Sequence, residues 1–242
     1  MHCTKDFSQY IKDNFSTEEY IKTFRELSSN RQLPPVYLVE SKRKGYDFDQ
    51  IVAVVLGEKG VRWRSVDAVA FYGDGAHFVE FKSGFLTKRS RDDIKQFYVY
   101  QCPENGKEKC CVEVNRVIDE YCNKFESCRK AEIEQLIVEI QLKMLETLKF
   151  LECNIDPYSP DCDKDIKLKF ILVADCKYTS GDASEAFLTM QSTCANPHSN
   201  EKSGLIVDRL KKYINTTLHS NVGYHFDEIE VLDAKEFNKI YA

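Results

Sequence analysis

Apolar positions change their period several times along this chain. Phe48, Ile51, Val52 and Val55 recur at helical spacing within residues 47–56, and Gly57 stands where a helix ends. From residue 61 the period shortens. Residues 61–72 are rich in Val, Trp, Phe and Tyr, Gly73-Asp74-Gly75 interrupts, and residues 76–81 resume the β-rich pattern. Two such runs around an Asp-Gly pair predict a hairpin. Val66, Ala68 and Ala70 share one face and Val69 and Phe71 the other, so both faces are largely apolar and the sheet is expected to carry helices on both sides. Residues 132–151 give the clearest helix, with Ile133, Leu136, Ile137, Ile140, Met144, Leu148 and Leu151 on one stripe. Residues 167–174 read as a buried strand and residues 226–232 as another, after which Asp233 and Glu236 form a capping box for a last short helix.

The weaker segments complete the outline. The first 30 residues read as helical, with Ser16-Thr17-Glu18-Glu19 offering a capping box for a helix through Phe24 and Leu27. Pro34-Pro35 ends that unit, and residues 36–39 form a short extended piece. Residues 92–100 and 112–125 look helical around a loop at 103–109, residues 178–203 form a long loop with a short helix at 183–190, and residues 205–218 are helical. The sum is an α/β domain with a mixed central sheet. A single domain over 1–242 is expected, with a helical part at 1–44, a core at 45–175 interrupted by a helical insertion at 83–128, and an extension at 176–242.

Composition removes several classes without naming a function. The chain has 242 residues, 34 Lys+Arg against 39 Asp+Glu and a net charge of −5. Its longest apolar run, residues 51–56, is far short of the ~20 residues that span a bilayer. Asp6, Asp13, Glu18 and Glu19 break any secretory leader, so a cytoplasmic protein without a membrane role is expected. The ten cysteines show no zinc-finger or iron–sulfur spacing, and in a reducing compartment they are expected to be free thiols, mostly buried as small hydrophobes. A cysteine-ligated metal protein is the weaker alternative.

One stretch carries candidate chemistry. Asp67 precedes the first hairpin strand's core and Glu80-Phe81-Lys82 lies on the second. A two- or four-residue loop pairs positions whose numbers sum to an odd value, so Asp67 faces Glu80 or Lys82 and all three side chains share one face. Two carboxylates at that separation suit one hard divalent cation, Mg2+ or Mn2+, which takes oxygen ligands and keeps several waters. Lys82 then stands where it can position a water or neutralise charge on a phosphoryl group. Charged groups on an apolar strand pair need such a partner, because buried charge is paired or metal-bound. An exposed cross-strand ion pair is the plain alternative, and the apolar neighbours argue against it.

Asp67…Glu80-Phe81-Lys82, on two strands preceded by a helix and followed by a helix and a strand, resembles the PD-(D/E)xK nuclease superfamily. That resemblance implies a restriction-endonuclease-like αβββαβ core and a Mg2+-dependent phosphodiesterase, with Asp67 and Glu80 as metal ligands and Lys82 in the catalytic position. Val66 stands where the motif's Pro is found. The superfamily commonly adds an acidic residue on its first helix, for which Glu40, Asp47 and Asp49 are candidates, and some members add a Gln-x3-Tyr helix, matched by Gln96 to Tyr100. Glu80 to Gly84 and the Lys-x-x-Glu-Thr-Leu of Lys143 to Leu148 are also similar to segments of uncharacterised bacterial members.

Charge is unevenly spread around this motif. Residues 31–100 hold 12 Lys+Arg against 9 Asp+Glu, so the acidic excess lies elsewhere. Lys42-Arg43-Lys44, Arg62, Arg64 and Lys88-Arg89-x-Arg91 are candidates for a phosphate track, which makes DNA or RNA the expected partner. His77 lies on the strand of Glu80 with opposite parity and is expected to point away from the site. A non-catalytic module of the same fold, binding nucleic acid or a protein, is the competing expectation.

Overall fold

The hairpin organises the sheet. The computed structural model describes residues 7–29, 35, 37–57, 63–73, 75–83, 107–154, 167–174, 210–211 and 226–242. Strand β3 (Ala68–Tyr72) and strand β4 (Gly75–Lys82) pair antiparallel, with Ala68 opposite Val79 and Tyr72 opposite Gly75. The two-residue connection is entered through Gly73 at φ 60, a left-handed conformation that glycine adopts without a Cβ clash.

Two short strands precede the hairpin, β1 (Ile21–Thr23) and β2 (Lys44–Asp47), and two follow it, β5 (Lys167–Ala174) and β6 (Glu228–Leu232). The order is β1-β2-β3-β4-β5-β6; the pairs β1–β2, β2–β3 and β3–β4 are antiparallel, whereas β4–β5 and β5–β6 are parallel. The protein is therefore mixed α/β with a six-stranded mixed sheet. Parallel pairing cannot be made by a tight turn, so a long crossover has to separate β4 from β5. Part of that crossover is the 48-residue helix α4 (Lys107–Asn154), numbered after α1 (Phe7–Asn14), α2 (Phe24–Leu27) and α3 (Phe48–Gly57) and before α5 (Ala234–Ile240).

Both sheet faces are covered. Ala68, Ala70, Val79, Ile171, Val173 and Leu232 pack with Phe24 of α2 and Phe237 of α5, where the Phe24 and Phe237 rings meet edge-on at 5.1 Å. On the opposite face Phe78 meets Phe7 of α1 and Phe48 of α3, and Phe48 in turn meets Phe150 of α4. All of these phenylalanines are buried, each contributing about 1.5–3 kcal/mol of burial. The chain divides into two compact units, Met1–Phe85 with Glu139–Ala242 and, separately, Leu86–Val138. The α4 residues from Glu139 onward belong to the first of these.

Several expectations need correction. The box at Ser16-Thr17-Glu18-Glu19 caps no helix: the amides of Tyr20 and Ile21 donate to Thr17 O in a turn, and the reciprocal capping box is made by Thr23 and Glu26 at the start of α2. The expected break at residues 126–131 is absent, since α4 runs through it. The β-rich run starts at Ala68 rather than 61, because the amides of Arg64 and Val66 are held by side chains of α4 instead of a strand. Strand β2 was invisible in the pattern, Lys-Gly-Tyr-Asp having no apolar alternation. Gly45 suits it: a Cβ there stands 3.1 Å from the Phe24 ring and 3.3 Å from Val69 O. Of the cysteines, Cys122, Cys128 and Cys153 are described as free thiols, but Cys128 and Cys153 are exposed and so are not small core hydrophobes. The helix expected at 92–100, the match at Gln96 to Tyr100, the loop at 178–203 and most of the helix at 205–218 lie outside the described residues.

Candidate active site

Asp67 precedes β3, and continuing the register one step beyond Ala68 and Val79 sets it opposite Glu80. The odd-sum register expected from the turn is thus the one adopted. Asp67 Oδ2 accepts the backbone N–H of Phe81 at 2.7 Å, so its carboxylate closes the ladder in place of a backbone carbonyl and its other oxygen is turned toward the ammonium of a lysine. Glu80 follows Phe78 on the face covered by α1, α3 and α4, and its side chain is 0% exposed. Lys82 extends from the same face. The structure therefore brings Asp67, Glu80 and Lys82 together, and His77, of opposite parity, contacts Tyr241 across the other face at 2.7 Å.

A second lysine, Lys143 of α4, completes the group. Its Nζ donates to Glu80 Oε2 at 2.8 Å and to Asp67 Oδ1 at 3.2 Å. One turn of α4 explains its placement: Lys143, Glu146 and Thr147 are spaced i, i+3, i+4 and so project together. Glu146 accepts the Arg64 N–H and Thr147 Oγ1 accepts the Val66 N–H at 3.3 Å. The Lys-x-x-Glu-Thr spacing thus clamps residues 64–67 and delivers an ammonium to the carboxylate pair. Sequence reasoning quoted this segment without assigning Lys143 to the site. The readable signal was two polar residues, Lys143 and Thr147, within the stripe of Ile140, Met144 and Leu151.

Asp49 is the acidic residue of α3 that the site gains. It accepts the Ser65 hydroxyl, and its pKa is raised by burial, partly offset by that hydrogen bond and by Lys143, while the Asp67 charge adds to the rise. Asp47 instead caps α3 by accepting the Gln50 N–H at 3.1 Å and pairs with Lys22 at 2.7 Å. Glu40 pairs with Arg25.

Glu80 is the electrostatic centre. Burial first, and the Asp67 charge second, push its pKa up to about 7, against the attraction of Lys143 and Lys82. Burial works to lower the pKa of Lys143, but the charges of Asp67 and Glu80 outweigh it and hold the ammonium above its ordinary range. One ammonium between two carboxylates leaves both shifts pointing upward without contradiction. Lys82 Nζ lies 3.2 Å from Glu80 Oε1, yet that buried oxygen has no hydrogen bond among the described residues, so the contact is one of charge and not of aligned donation. An unsatisfied buried acceptor costs on the order of 1–3 kcal/mol.

The raised pKa sets a pH dependence. An unfolded Glu80 titrates at its ordinary value of 4.5 and the folded one near 7, so the native state binds the extra proton between those limits. The stability contributed by this group is complete below pH 4.5 and is lost as pH rises through 7, on the order of 3 kcal/mol in all. Glu80→Gln removes that decline. Urea titrations of wild type and variant at a series of pH values between 4 and 8 will show a falling difference curve; parallel curves contradict the assignment.

A cavity of about 590 Å³ adjoins Asp67, lined also by Lys22, Asp47, Asp49, Gln50 and Ser83. Glu80 does not line it. Among the described residues no three His, Cys, Asp or Glu side chains gather closely enough to hold a metal ion by themselves. The donor set nonetheless suits a hard cation: two carboxylates share one face, and Glu80 Oε1 is a buried oxygen without a hydrogen bond. Two carboxylates with water completing the shell are a usual arrangement for Mg2+.

Parts of the expected basic track lie away from the site. Lys44 lies at the hairpin-turn end of β2, about 13 Å along the strands from the Asp67 row, and Arg43 donates to Ala242 O at 2.9 Å. Arg62 and Lys88 to Arg91 lie outside the described residues. No protein-family model, curated protein or solved structure matches this chain.

Proposed function

We propose that this protein hydrolyses phosphodiester bonds of DNA or RNA with Mg2+ or Mn2+ held by Asp67 and Glu80, and that its core is restriction-endonuclease-like. The observation that carries this reading is the convergence of Asp67, Glu80, Lys82 and Lys143 at one end of an antiparallel strand pair, around a buried carboxylate oxygen that lacks a hydrogen bond. The topology supports it: antiparallel β2, β3 and β4 are followed by a helical crossover to parallel β5. One departure is that α3 stands between β2 and β3 and does not precede all three strands.

The bound cation supplies Lewis acidity toward the phosphoryl oxygen and lowers the pKa of a water. The chain's own residues do the rest. Asp67 is fixed by the Phe81 N–H at Oδ2, so Oδ1, which meets Lys143, is preoriented toward a cation. Burial of Glu80 in an apolar wall strengthens its attraction for a cation. Lys82, 27% exposed, is the ammonium that reaches toward solvent and can hold a water or the phosphate charge. The adjoining cavity, with Asp49 and Asp67 on its wall, is where a scissile group meets the site.

A second reading is favoured by one observation. Lys143 already pairs with both carboxylates, as expected of a non-catalytic module that has kept the site's shape. Cleavage of single-stranded and duplex DNA and RNA by wild type and Lys82→Ala, with and without Mg2+, separates the two. Metal-dependent cleavage lost in the variant supports hydrolysis; no cleavage, or equal cleavage in both proteins, overturns it.

A further inference from the structure

The lysine that pairs with both carboxylates also stands in the way of the ion they are suited to hold. We propose that Lys143 is a built-in cation that occupies the space between Asp67 and Glu80 in the metal-free protein, and that a divalent ion binds by displacing it. This rests on the metal reading of the site above.

Three observations carry it. Lys143 Nζ lies 2.8 Å from Glu80 Oε2 and 3.2 Å from Asp67 Oδ1, so one ammonium bridges the two carboxylates. The side chain comes from α4 and not from either strand, so it can withdraw without disturbing the hairpin register. Its hold is incomplete: the other Glu80 oxygen remains buried without a hydrogen bond, and a donor set that satisfies one ammonium only in part retains affinity for a stronger cation.

Displacement has a consequence for the substrate. Asp49, Asp67 and Glu80 place three carboxylates against the ammonium groups of Lys82 and Lys143, an acidic balance that repels a phosphodiester. A divalent ion reverses that sign and leaves Lys143 tethered beside the cavity as an extra positive group. Metal binding and acceptance of an anionic substrate are then one event, and the metal-free site is closed by its own lysine.

The test uses Mn2+ and the full chain, with Lys143→Met preserving side-chain length without charge. Calorimetric titration is expected to show Mn2+ binding to the variant at least tenfold tighter than to wild type, because wild type is competent only while Lys143 is away. In wild type, acetylation of Lys143 by a water-soluble amine reagent, read by mass spectrometry, is expected to rise several-fold with Mn2+, while Lys169, paired with Glu228 and Glu230, stays constant. This second readout stands if Lys143→Met fails to fold. Mn2+ bound equally by both proteins, or bound without change in Lys143 acetylation, overturns the displacement and leaves the metal site intact. Failure of wild type and folded variant alike to bind Mn2+ overturns the metal site and the displacement together.

Discussion

Lys82→Ala is expected to lower the proposed divalent-dependent phosphodiester cleavage by about 10²–10⁴-fold and to leave the fold almost as stable as wild type. The two halves of that expectation come from one geometry. Lys82 Nζ is 3.2 Å from Glu80 Oε1 but makes no aligned hydrogen bond to it, and Glu139 is further off at 3.8 Å. Its contribution to stability is therefore that of a partly exposed ion pair, under about 1 kcal/mol, or a few degrees of melting temperature. Its contribution to chemistry is larger, because charge that develops on a phosphoryl group beside a buried wall is poorly screened. Rate and melting temperature measured on the same preparation check both halves. A loss of rate that merely tracks unfolding contradicts the catalytic role.

Lys143→Met gives the opposite balance. In the metal-free protein it removes the shared partner of two carboxylates, one of them fully buried, and breaking such a pair costs about 3–5 kcal/mol. The loss depends on pH with a definite sign. Below pH 4.5 Glu80 is protonated in both folded and unfolded chains and needs Lys143 least; above 7 it is ionised and needs it most. The destabilisation measured in urea should therefore be smaller at pH 5 than at pH 8. Millimolar Mn2+ should restore more stability to the variant than to wild type, by mass action on a site the lysine no longer fills. A pH-independent loss unaffected by Mn2+ contradicts both the pairing of Lys143 with Glu80 and the metal site.

The parts of this fold that were readable from sequence are those where one physical signal dominates. The Gly73-Asp74 turn set the register, and the register set Asp67 against Glu80. The Asp233 and Glu236 box marked the last helix because both donors and acceptors are local. Strands β1 and β2 were not readable, since Ile21-Lys22-Thr23 and Lys44-Gly45-Tyr46-Asp47 are held by pairing and by Phe24 packing over Gly45, both non-local. Ser-Thr-Glu-Glu at residues 16–19 fits the capping-box pattern, but the box forms between Thr23 and Glu26, where β1 ends and α2 begins.

The site divides in the same way. Asp67, Glu80 and Lys82 sit on adjacent strands joined by a tight turn, so their proximity follows from parity. Lys143 is 63 residues from Glu80, and nothing local brings the two together. Its trace was chemical and not positional: a lysine set between Ile140 and Met144, with Thr147 one turn on, in a stripe that is otherwise apolar. Lys44 is the converse case: it is close to the motif in sequence, but the pairing of β2 with β3 sets its row about 13 Å along the strands from Asp67.

Anomalous scattering from a crystal soaked in millimolar Mn2+ addresses the central claim most directly. The account predicts a peak bound by carboxylate oxygens of both Asp67 and Glu80, at about 2.0–2.3 Å, with the Lys143 ammonium moved out from between them. No peak at that position, with Lys143 still bridging the two carboxylates, contradicts it.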